Sequence, residues 1–222
     1  MKVTYLSHSG FAIEIEDAVF VFDYYEGLIP EHDDRQLICF ASHAHSDHYS
    51  REIFDFNADK YILSYDIKAG KKDNILYVQP GTTYEVQLKE AQLTVETFKS
   101  TDEGVAFFVT YKGKTIYHAG DLHLWAWYEE GKEYVEDMKR QFYAYTKELV
   151  GRHVDAAFLL LDYRLGDGGF EGMEAYRKML KADHIFPMHQ WDIYHYTKKY
   201  LQYKGNLPNL HVIEYKGQEF EI

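Results

Sequence analysis

The stretch LICFASHAHSDHYS, residues 37–50, joins a short apolar run to a cluster of metal-ligand side chains. Residues 37–41 predict a buried strand. The loop that follows carries His43, His45, Asp47 and His48, and imidazole nitrogens with a carboxylate are the ligands that Zn²⁺ and similar metals prefer. Side chains on such a loop can converge, because they need not alternate between opposite faces as they do along a strand. The stretch therefore predicts a metal site at a strand's end.

The composition of the chain fits one globular unit. It has 222 residues, 46% of them hydrophobic, and α/β or β-sandwich folds commonly use this length for one domain. The formal net charge of −12 argues against nucleic acid as the main partner, because nucleic-acid affinity depends on neutralising phosphates. The one cysteine, Cys39, is expected to be a buried thiol. With no long apolar run and no signal-peptide pattern, a cytoplasmic protein without a membrane partner is expected.

Periodicity predicts strands mainly in the first half of the chain and helices in the second. Alternating or continuous apolar runs predict strands, and apolar residues three and four apart predict helices. The predicted strands are residues 2–7, 11–16, 19–23, 37–41, 61–64, 75–78, 83–88, 92–98, 105–111, 115–118, 156–161 and 184–187. The predicted helices are residues 133–150, 171–180 and 191–203. No linker or composition break divides the chain, so one domain over residues 1–222 is expected.

Two further candidate ligands stand just beyond predicted strands. Asp121 follows the strand at 115–118 in the string His-Ala-Gly-Asp, and His189 follows the strand at 184–187. Each alone has a simple structural explanation, a turn for an aspartate after glycine and a structural role for a lone histidine. Their shared position at strand ends, together with the histidine cluster, makes both of them candidate metal ligands.

The order of these motifs resembles that of metallo-β-lactamase-fold hydrolases, in particular the small single-domain metal-dependent branch. Residues 43–48 match the HxHxDH signature, Gly120-Asp121 matches the bridging aspartate, and His189 matches the late histidine. The resemblance implies an α+β fold, a four-layered αββα sandwich that includes residues 1–222. It also implies a metal centre at one edge of the paired sheets.

The same resemblance assigns roles to residues of this chain. The implied ligands are His43 and His45 at a first metal, Asp47, His48 and His189 at a second, and Asp121 as the bridge. Asp23 would brace the metal loop, and His118 would hydrogen-bond behind the ligands. Residues 6–11 resemble the hairpin that opens many of these proteins. One or two divalent ions are implied, with Zn²⁺ as the first expectation and Mn²⁺ or Fe²⁺ as alternatives.

The chain departs from the family pattern at one ligand. The family usually supplies a third histidine to the first metal, before the Gly-Asp element, but this chain has no histidine between residues 48 and 118. Three outcomes remain open. The first metal is held weakly, with Ser100 nearby as a hydrogen bonder. Asp102 or Glu103 supplies an oxygen ligand, which favours a harder metal. Or only the second position fills.

A metal at this site points to a hydrolase. A bound divalent metal lowers the pKa of a water toward neutrality and polarises a carbonyl or phosphoryl oxygen, and Asp47 would orient that water. The expected substrate is a small ester, lactone, amide or phosphoester. Alternatives are a non-catalytic binding protein with a partly degenerate site, a nuclease and a di-iron redox protein. The missing histidine supports the first, the acidic charge argues against the second, and the third usually pairs with a flavin domain.

The loop after the Gly-Asp element is a candidate for the pocket wall. Trp125, Trp127 and Tyr128 lie in it, and rings on a loop that begins at the metal are well placed to line a pocket. Core packing is the alternative for each ring. His123, in the same loop, is open between pocket lining and metal ligation. Arg164 is expected either to clamp a carboxylate or phosphate of the substrate or to pair with a neighbouring acid, Asp162 or Asp167.

Overall fold

Two β-sheets flanked by helices make up the computed structural model, which describes residues 1–222 apart from the side chain of Asp167. The strands are β1 Lys2–Ser7, β2 Gly10–Ile15, β3 Ala18–Phe22, β4 Gln36–Ala41, β5 Lys60–Ser64, β6 Ile75–Val78, β7 Thr83–Gln87, β8 Gln92–Lys99, β9 Val105–Tyr111, β10 Lys114–His118, β11 His153–Leu160, β12 Lys181–Met188 and β13 Glu219–Glu221. The α-helices are α1 Lys132–Thr146, α2 Glu171–Met179 and α3 His195–Lys204. Short 3₁₀ helices are Arg51–Phe56, Tyr128–Glu130, Lys147–Leu149 and Tyr163–Gly168.

The sheets stack face to face around an aromatic core. One has the order β13-β1-β2-β3-β4-β5-β6 and the other the order β12-β11-β10-β9-β8-β7. Ring pairs bridge them: Phe11 on β2 lies 4.5 Å from Phe158 on β11, and Phe40 on β4 lies 5.4 Å from Phe107 on β9, between ring centroids. Burying these rings is a large share of the hydrophobic stabilisation. The expected α+β sandwich is confirmed.

The outer faces of the two sheets are covered differently. Helix α1 packs on β8, and α2 packs on β11 and β12, with Phe142 and Tyr176 buried beneath them. The 3₁₀ helix Arg51–Phe56 covers the other sheet and buries Ile53 against residues that include Cys39. Burial raises the pKa of the Cys39 thiol, so this cysteine is a small apolar core group, as expected.

Parallel pairing brings the important strand ends to one edge. Strands β3, β4 and β5 are parallel to one another in the first sheet, and β10, β11 and β12 are parallel in the second. The residues that follow the carboxyl ends of neighbouring parallel strands lie side by side. The loops that carry the histidine cluster, Asp121 and His189 therefore meet at this edge.

Some predicted boundaries are wrong, for local reasons. Helix α3 begins at His195 rather than at residue 191, because Trp191 and Asp192 have φ of 50° and 58° and leave the right-handed helical region. The helix predicted to reach residue 150 ends at Thr146 and continues as a 3₁₀ turn. Strand β13, which pairs with β1, was not expected, because three residues carry too little pattern. Among the described residues, the helices are too short or too polar to cross a bilayer.

Candidate metal centre

The loop after β4 places its four predicted ligands at different depths. His43 and His48 are fully buried, whereas the side chain of His45 is 51% exposed and that of Asp47 is 26% exposed. A tight turn, in which the His48 backbone N–H donates to the carbonyl of His45, folds the loop back on itself. The backbone N–H of Ala44 donates to Asp66, which follows β5. The loop is therefore anchored at both its base and its tip.

Asp23, just after β3, holds the base of this loop. Its carboxylate accepts hydrogen bonds from the Ser42 backbone N–H, the Ser42 hydroxyl and His48 Nδ1, each at 2.7 Å. Burial would raise the pKa of Asp23, but His118 and His48 outweigh it and hold the pKa at about 2. The ionised carboxylate thereby fixes the ring of His48, in the bracing position that the sequence motif assigns to Asp23.

Asp121 is the residue on which the buried imidazoles converge. Its carboxylate oxygens lie 3.2 Å from His48 Nε2, 3.6 Å from His189 Nε2 and 3.7 Å from His43 Nε2. Two ligand atoms bonded to one ion at about 2.1 Å in a tetrahedral arrangement are about 3.4 Å apart. The spacing therefore matches that of atoms sharing a metal ion, and the sequence-predicted residues His43, His48, Asp121 and His189 are brought together.

The donor atoms of these histidines are free to bind a metal. His48 Nδ1 donates to Asp23 and His189 Nδ1 donates to Asp162. The Ser42 hydroxyl, whose hydrogen goes to Asp23, accepts from His43 Nδ1 at 2.9 Å. Each ring is thus held with Nε2 as the unprotonated nitrogen in its neutral form, directed at Asp121.

Buried atoms at this point lack partners within the described part of the chain. His43 Nε2, His48 Nε2 and Asp121 Oδ1 are buried without a hydrogen-bond partner there, an arrangement that is costly unless a ligand such as a metal satisfies them. Burial raises the pKa of Asp121 to about 7. Burial alone would lower the pKa of His48, but Asp121 and Asp23 raise it to about 9. The donor set therefore fits a divalent cation, which would displace a shared proton.

Asp102 lies in the segment between β8 and β9, where the sequence pattern lacks the expected histidine. Its carboxylate is 3.9 Å from His45 Nδ1, and one oxygen of Asp102, one of Asp121 and one nitrogen of His45 all lie within 4.8 Å of one another. The Ser100 hydroxyl accepts the Asp102 backbone N–H at 3.1 Å and so shapes the loop. Glu103 is exposed. Of the three residues that the sequence left open, Asp102 is the one placed among the ligand candidates.

A glycine allows this approach. Gly104 has φ of +67°, and a Cβ there would lie 1.9 Å from the Ser42 carbonyl oxygen and 2.6 Å from the His43 Cβ. The neighbouring Val105 N–H donates to the Ser42 carbonyl at 2.9 Å. The segment between β8 and β9 therefore packs directly on the histidine loop, which a larger residue would prevent.

His189 is braced from β11. Asp162, which follows that strand, accepts from His189 Nδ1 at 2.9 Å and binds the Arg164 guanidinium, with Arg164 Nε at 2.9 Å. Arg164 also lies over the ring of Trp191 and lines the cavity beside the ligands. It is therefore both a partner of Asp162 and a part of the pocket wall. The alternative pairing with Asp167 falls on a side chain outside the described residues.

Two histidines near the centre, His118 and His123, contact other parts of the fold instead of the ligand cluster. His118 Nε2 donates to the Ser9 carbonyl at 2.9 Å, and its Nδ1 accepts from the Gly120 backbone N–H, so it ties the opening hairpin to the Asp121 loop. The ring of His123 packs against α2, where a Cβ on Gly172 would lie 2.0 Å from its Cε1. Burial lowers the pKa of His123 to about 4. His123 is thus a packed ring beneath the loop.

A cavity of about 260 Å³ opens beside the ligand atoms. It is lined by ligand candidates and by rings, namely His45, Asp47, Thr101, Asp102, Asp121, Trp125, Trp127, Tyr134, Met138, Arg164, His189 and Trp191. The rings of Trp125 and Trp127 are parallel, with an interplanar angle of 2°. Tyr128, expected beside them, is half exposed and hydrogen-bonds Glu171. The cavity is small, and its lining combines aromatic rings with the ligand candidates, Thr101 and Arg164.

Sequence reasoning missed His8, Asp66 and the bracing role of Asp162. His8 lies in the turn between β1 and β2, and its Nε2 is 3.4 Å from Asp47 Oδ2. Asp66 and Asp162 stand just after β5 and β11, which are parallel neighbours of the strands that carry the ligands. Their position beyond parallel strands was a usable signal. His8 lies in the hairpin segment at residues 6–11 that the sequence singled out, but its place beside Asp47 depends on a left-handed turn that the sequence does not show.

Comparisons with known proteins identify the family of this chain. The family model described as "Beta-lactamase superfamily domain" matches residues 2–133, more than half of the chain. The chain is 33% identical over 134 residues to the UPF0173 metal-dependent hydrolase NEQ378 of Nanoarchaeum equitans, an alignment that spans 54% of this chain and 60% of that protein. It is 26% identical over 211 residues to a UPF0173 metal-dependent hydrolase of Opitutus terrae, spanning 85% and 84%. Igni18, a metallo hydrolase from Ignicoccus hospitalis, superposes with a TM-score of 0.60 at 19% identity, over 100% of this chain and 98% of that one. This last likeness supports the fold.

Proposed function

The chain belongs to the beta-lactamase superfamily domain family, and on this premise we propose that it is a metal-dependent hydrolase of a small ester, lactone, amide or phosphoester. The observation that carries the proposal is the convergence of three buried imidazole Nε2 atoms on Asp121. His43, His48 and His189 each have Nδ1 engaged by a neighbour, which leaves Nε2 directed at that carboxylate. Three imidazole nitrogens directed at one carboxylate form a ligand set suited to a divalent metal.

The proposed ligand set follows from the sequence motif and the distances. A metal at the second position would be held by Asp47, His48 and His189, and Asp121 would be shared between the two positions. A metal bound there supplies a water of near-neutral pKa and polarises the substrate oxygen. Burial would raise the pKa of Asp47, but His8 and His48 hold the pKa well below its usual range. Asp47 is therefore an ionised acceptor at neutral pH, and it lines the cavity where it can orient the attacking water.

The first position is proposed to use His43, His45 and Asp102 together with Asp121. An aspartate in place of the family's third histidine gives this position more oxygen ligands. It can therefore hold a harder ion such as Mn²⁺ or Fe²⁺ as an alternative to Zn²⁺. The missing histidine favours the alternative of a degenerate, non-catalytic site. Because the Asp102 carboxylate lies 3.9 Å from His45 Nδ1, the catalytic interpretation is preferred.

The substrate is proposed to be small and to carry a flat or apolar group. A cavity of about 260 Å³ is slightly below the range of roughly 300–1,000 Å³ usual for drug-sized ligands. Three tryptophans, Trp125, Trp127 and Trp191, give it aromatic walls. The positive charge of Arg164 is largely balanced by Asp162, so the pocket does not call for a highly charged substrate. The size and the net charge of −12 also speak against the nuclease alternative.

The function is tested by comparing metal-loaded and chelator-treated protein. Both are assayed against para-nitrophenyl acetate, γ-butyrolactone, para-nitroacetanilide and bis-para-nitrophenyl phosphate, with metal content measured by elemental analysis. We expect loaded protein with about two ions per chain to hydrolyse at least one of these substrates. Chelated protein should be inactive and should recover when Zn²⁺ or Mn²⁺ is returned. Protein that binds neither ion, or that hydrolyses equally well without metal, would overturn the proposal.

The role of Asp102 gives a sharper test with an adjacent control. Asp102→Ala is expected to weaken metal binding at the first position by at least about tenfold, the lower end of what loss of a supporting group costs, so that dialysed protein retains about one ion per chain. Glu103→Ala removes the same charge one residue away from an exposed position and should retain both ions. Elemental analysis after dialysis decides the matter. If Asp102→Ala also retains two ions, Asp102 is not a ligand.

A further inference from the structure

His8, in the opening hairpin at residues 6–11, lies among the proposed ligands of the second position. One nitrogen of His8, one oxygen of Asp47 and one nitrogen each of His48 and His189 all lie within 4.8 Å of one another. His8 is buried, and within the described part of the chain its Nε2 has no hydrogen-bond partner. We propose that His8 is a further ligand of the second metal. This inference rests on the metal binding put forward under the proposed function.

The distances favour coordination over a direct hydrogen bond. His8 Nε2 lies 3.4 Å from Asp47 Oδ2, longer than the usual hydrogen bond of about 2.9 Å and close to the spacing of about 3.4 Å between two ligands of one ion. The ring centroid of His8 is 4.2 Å from that of His189 and 5.5 Å from that of His48. The ring of His8 therefore lies beside both histidines of the proposed second position.

The backbone at His8 has a left-handed conformation that is held by hydrogen bonds to neighbouring segments. Its φ is +52°, a left-handed conformation that few residues other than glycine adopt. The carbonyl of His8 accepts the His189 backbone N–H at 3.0 Å, and the carbonyl of the next residue, Ser9, accepts from His118 Nε2. Non-glycine residues in this region cluster at functional sites, where the surrounding structure enforces them. Here the enforced turn aims a histidine at the metal ligands.

With His8, the second position has three histidines and two carboxylates, Asp47 and the shared Asp121. The first position, with His43, His45, Asp102 and Asp121, has two histidines and two carboxylates. The two positions therefore differ in ligand chemistry, and the second is expected to bind Zn²⁺ or Co²⁺ more tightly than the first. Loss of His8 should reduce this difference.

The test uses two variants that preserve the turn. Asparagine tolerates the left-handed region better than most residues, and glycine adopts it without strain. His8→Asn and His8→Gly therefore remove the imidazole while keeping the backbone, and the second variant serves if the first folds poorly. His153→Ala, which removes an exposed histidine paired with Asp183 away from the site, is the matched control. Binding of Zn²⁺ is measured by calorimetry, and the Co²⁺-loaded proteins are compared by visible absorption.

We expect wild type and His153→Ala to bind two ions with the same affinities and the same Co²⁺ spectrum. The His8 variants should bind one ion at least tenfold more weakly and show a changed Co²⁺ spectrum, because one nitrogen ligand is lost. Variants that match the wild-type affinities and spectrum would overturn the assignment of His8 while leaving the metal centre intact. Wild type that binds no ion would instead overturn the proposed function, so the two failures are distinct.

Discussion

Asp121→Asn is expected to abolish tight metal binding at both positions and to lower the hydrolytic rate at least about a thousandfold. The carboxylate lies 3.2–3.7 Å from three imidazole nitrogens, so both ions of the proposed centre would lose their shared anionic ligand. A metal contributes several kcal/mol of transition-state stabilisation, and about 4 kcal/mol corresponds to a thousandfold in rate. Elemental analysis after dialysis and the rate on the best substrate of the panel are the measurements.

The same substitution should not destabilise the metal-free protein. Burial raises the pKa of Asp121 from 3.8 to about 7, so the ionised carboxylate is less favourable in the folded than in the unfolded state. An acid with a raised folded-state pKa has no effect on the free energy of unfolding below about pH 4. Its destabilising contribution grows as the pH rises and is complete above about pH 7. Metal-free Asp121→Asn is therefore expected to be at least as stable as the wild type at pH 8, by urea unfolding.

This combination separates a functional residue from a structural one. Substituting a residue that stabilises the fold would lower both stability and metal binding, whereas substituting Asp121 should lower only metal binding. Asp155→Asn is a suitable control, because that carboxylate hydrogen-bonds Thr115 and Lys114 at the start of β10, away from the ligands. It should retain both ions. Tight binding of two ions by Asp121→Asn would contradict the bridging role.

The parts of the site that could be predicted from sequence are those carried by strand ends. The run at residues 37–41 and the histidines after it identify a loop, and Asp121 and His189 each follow a recognisable strand. Parallel pairing of β10, β11 and β12 then brings such residues to one edge, a consequence of topology rather than of any single residue. These residues could be picked out because apolar runs and polar strand ends are both local signals.

The remaining parts depend on tertiary conformation. His8 has a positive φ, and for a non-glycine residue that conformation is enforced by tertiary hydrogen bonds that the sequence does not display. The choice of Asp102 over Ser100 and Glu103 depends on Gly104, whose missing Cβ lets the loop contact Ser42. The helix predicted to start at residue 191 begins only at His195, because Trp191 and Asp192 have positive φ that the sequence does not display.

Asp23→Ala is expected to lower the free energy of unfolding of the metal-free protein by about 3–5 kcal/mol, the usual effect of breaking a buried charged pair from one side. The substitution leaves the Ser42 N–H, the Ser42 hydroxyl and His48 Nδ1 buried without their shared acceptor. It also frees the His48 ring, so metal affinity should fall by about 10–100-fold, as when other bracing carboxylates are removed. Urea unfolding and calorimetry measure the two effects.

The pH dependence and a matched pair of variants show whether the Asp23 charge is responsible. The pKa of Asp23 is lowered from 3.8 to about 2, and an acid with a lowered folded-state pKa stabilises the fold above its unfolded pKa. The stability difference between wild type and Asp23→Asn, which suits the φ of +43°, should be full at pH 7 and shrink as pH falls from about 4 to about 2. Asp55→Ala, at an exposed position, should change little at either pH. A loss for Asp23→Asn that is equal at pH 7 and pH 2 would show that shape, and not charge, fixes the metal loop.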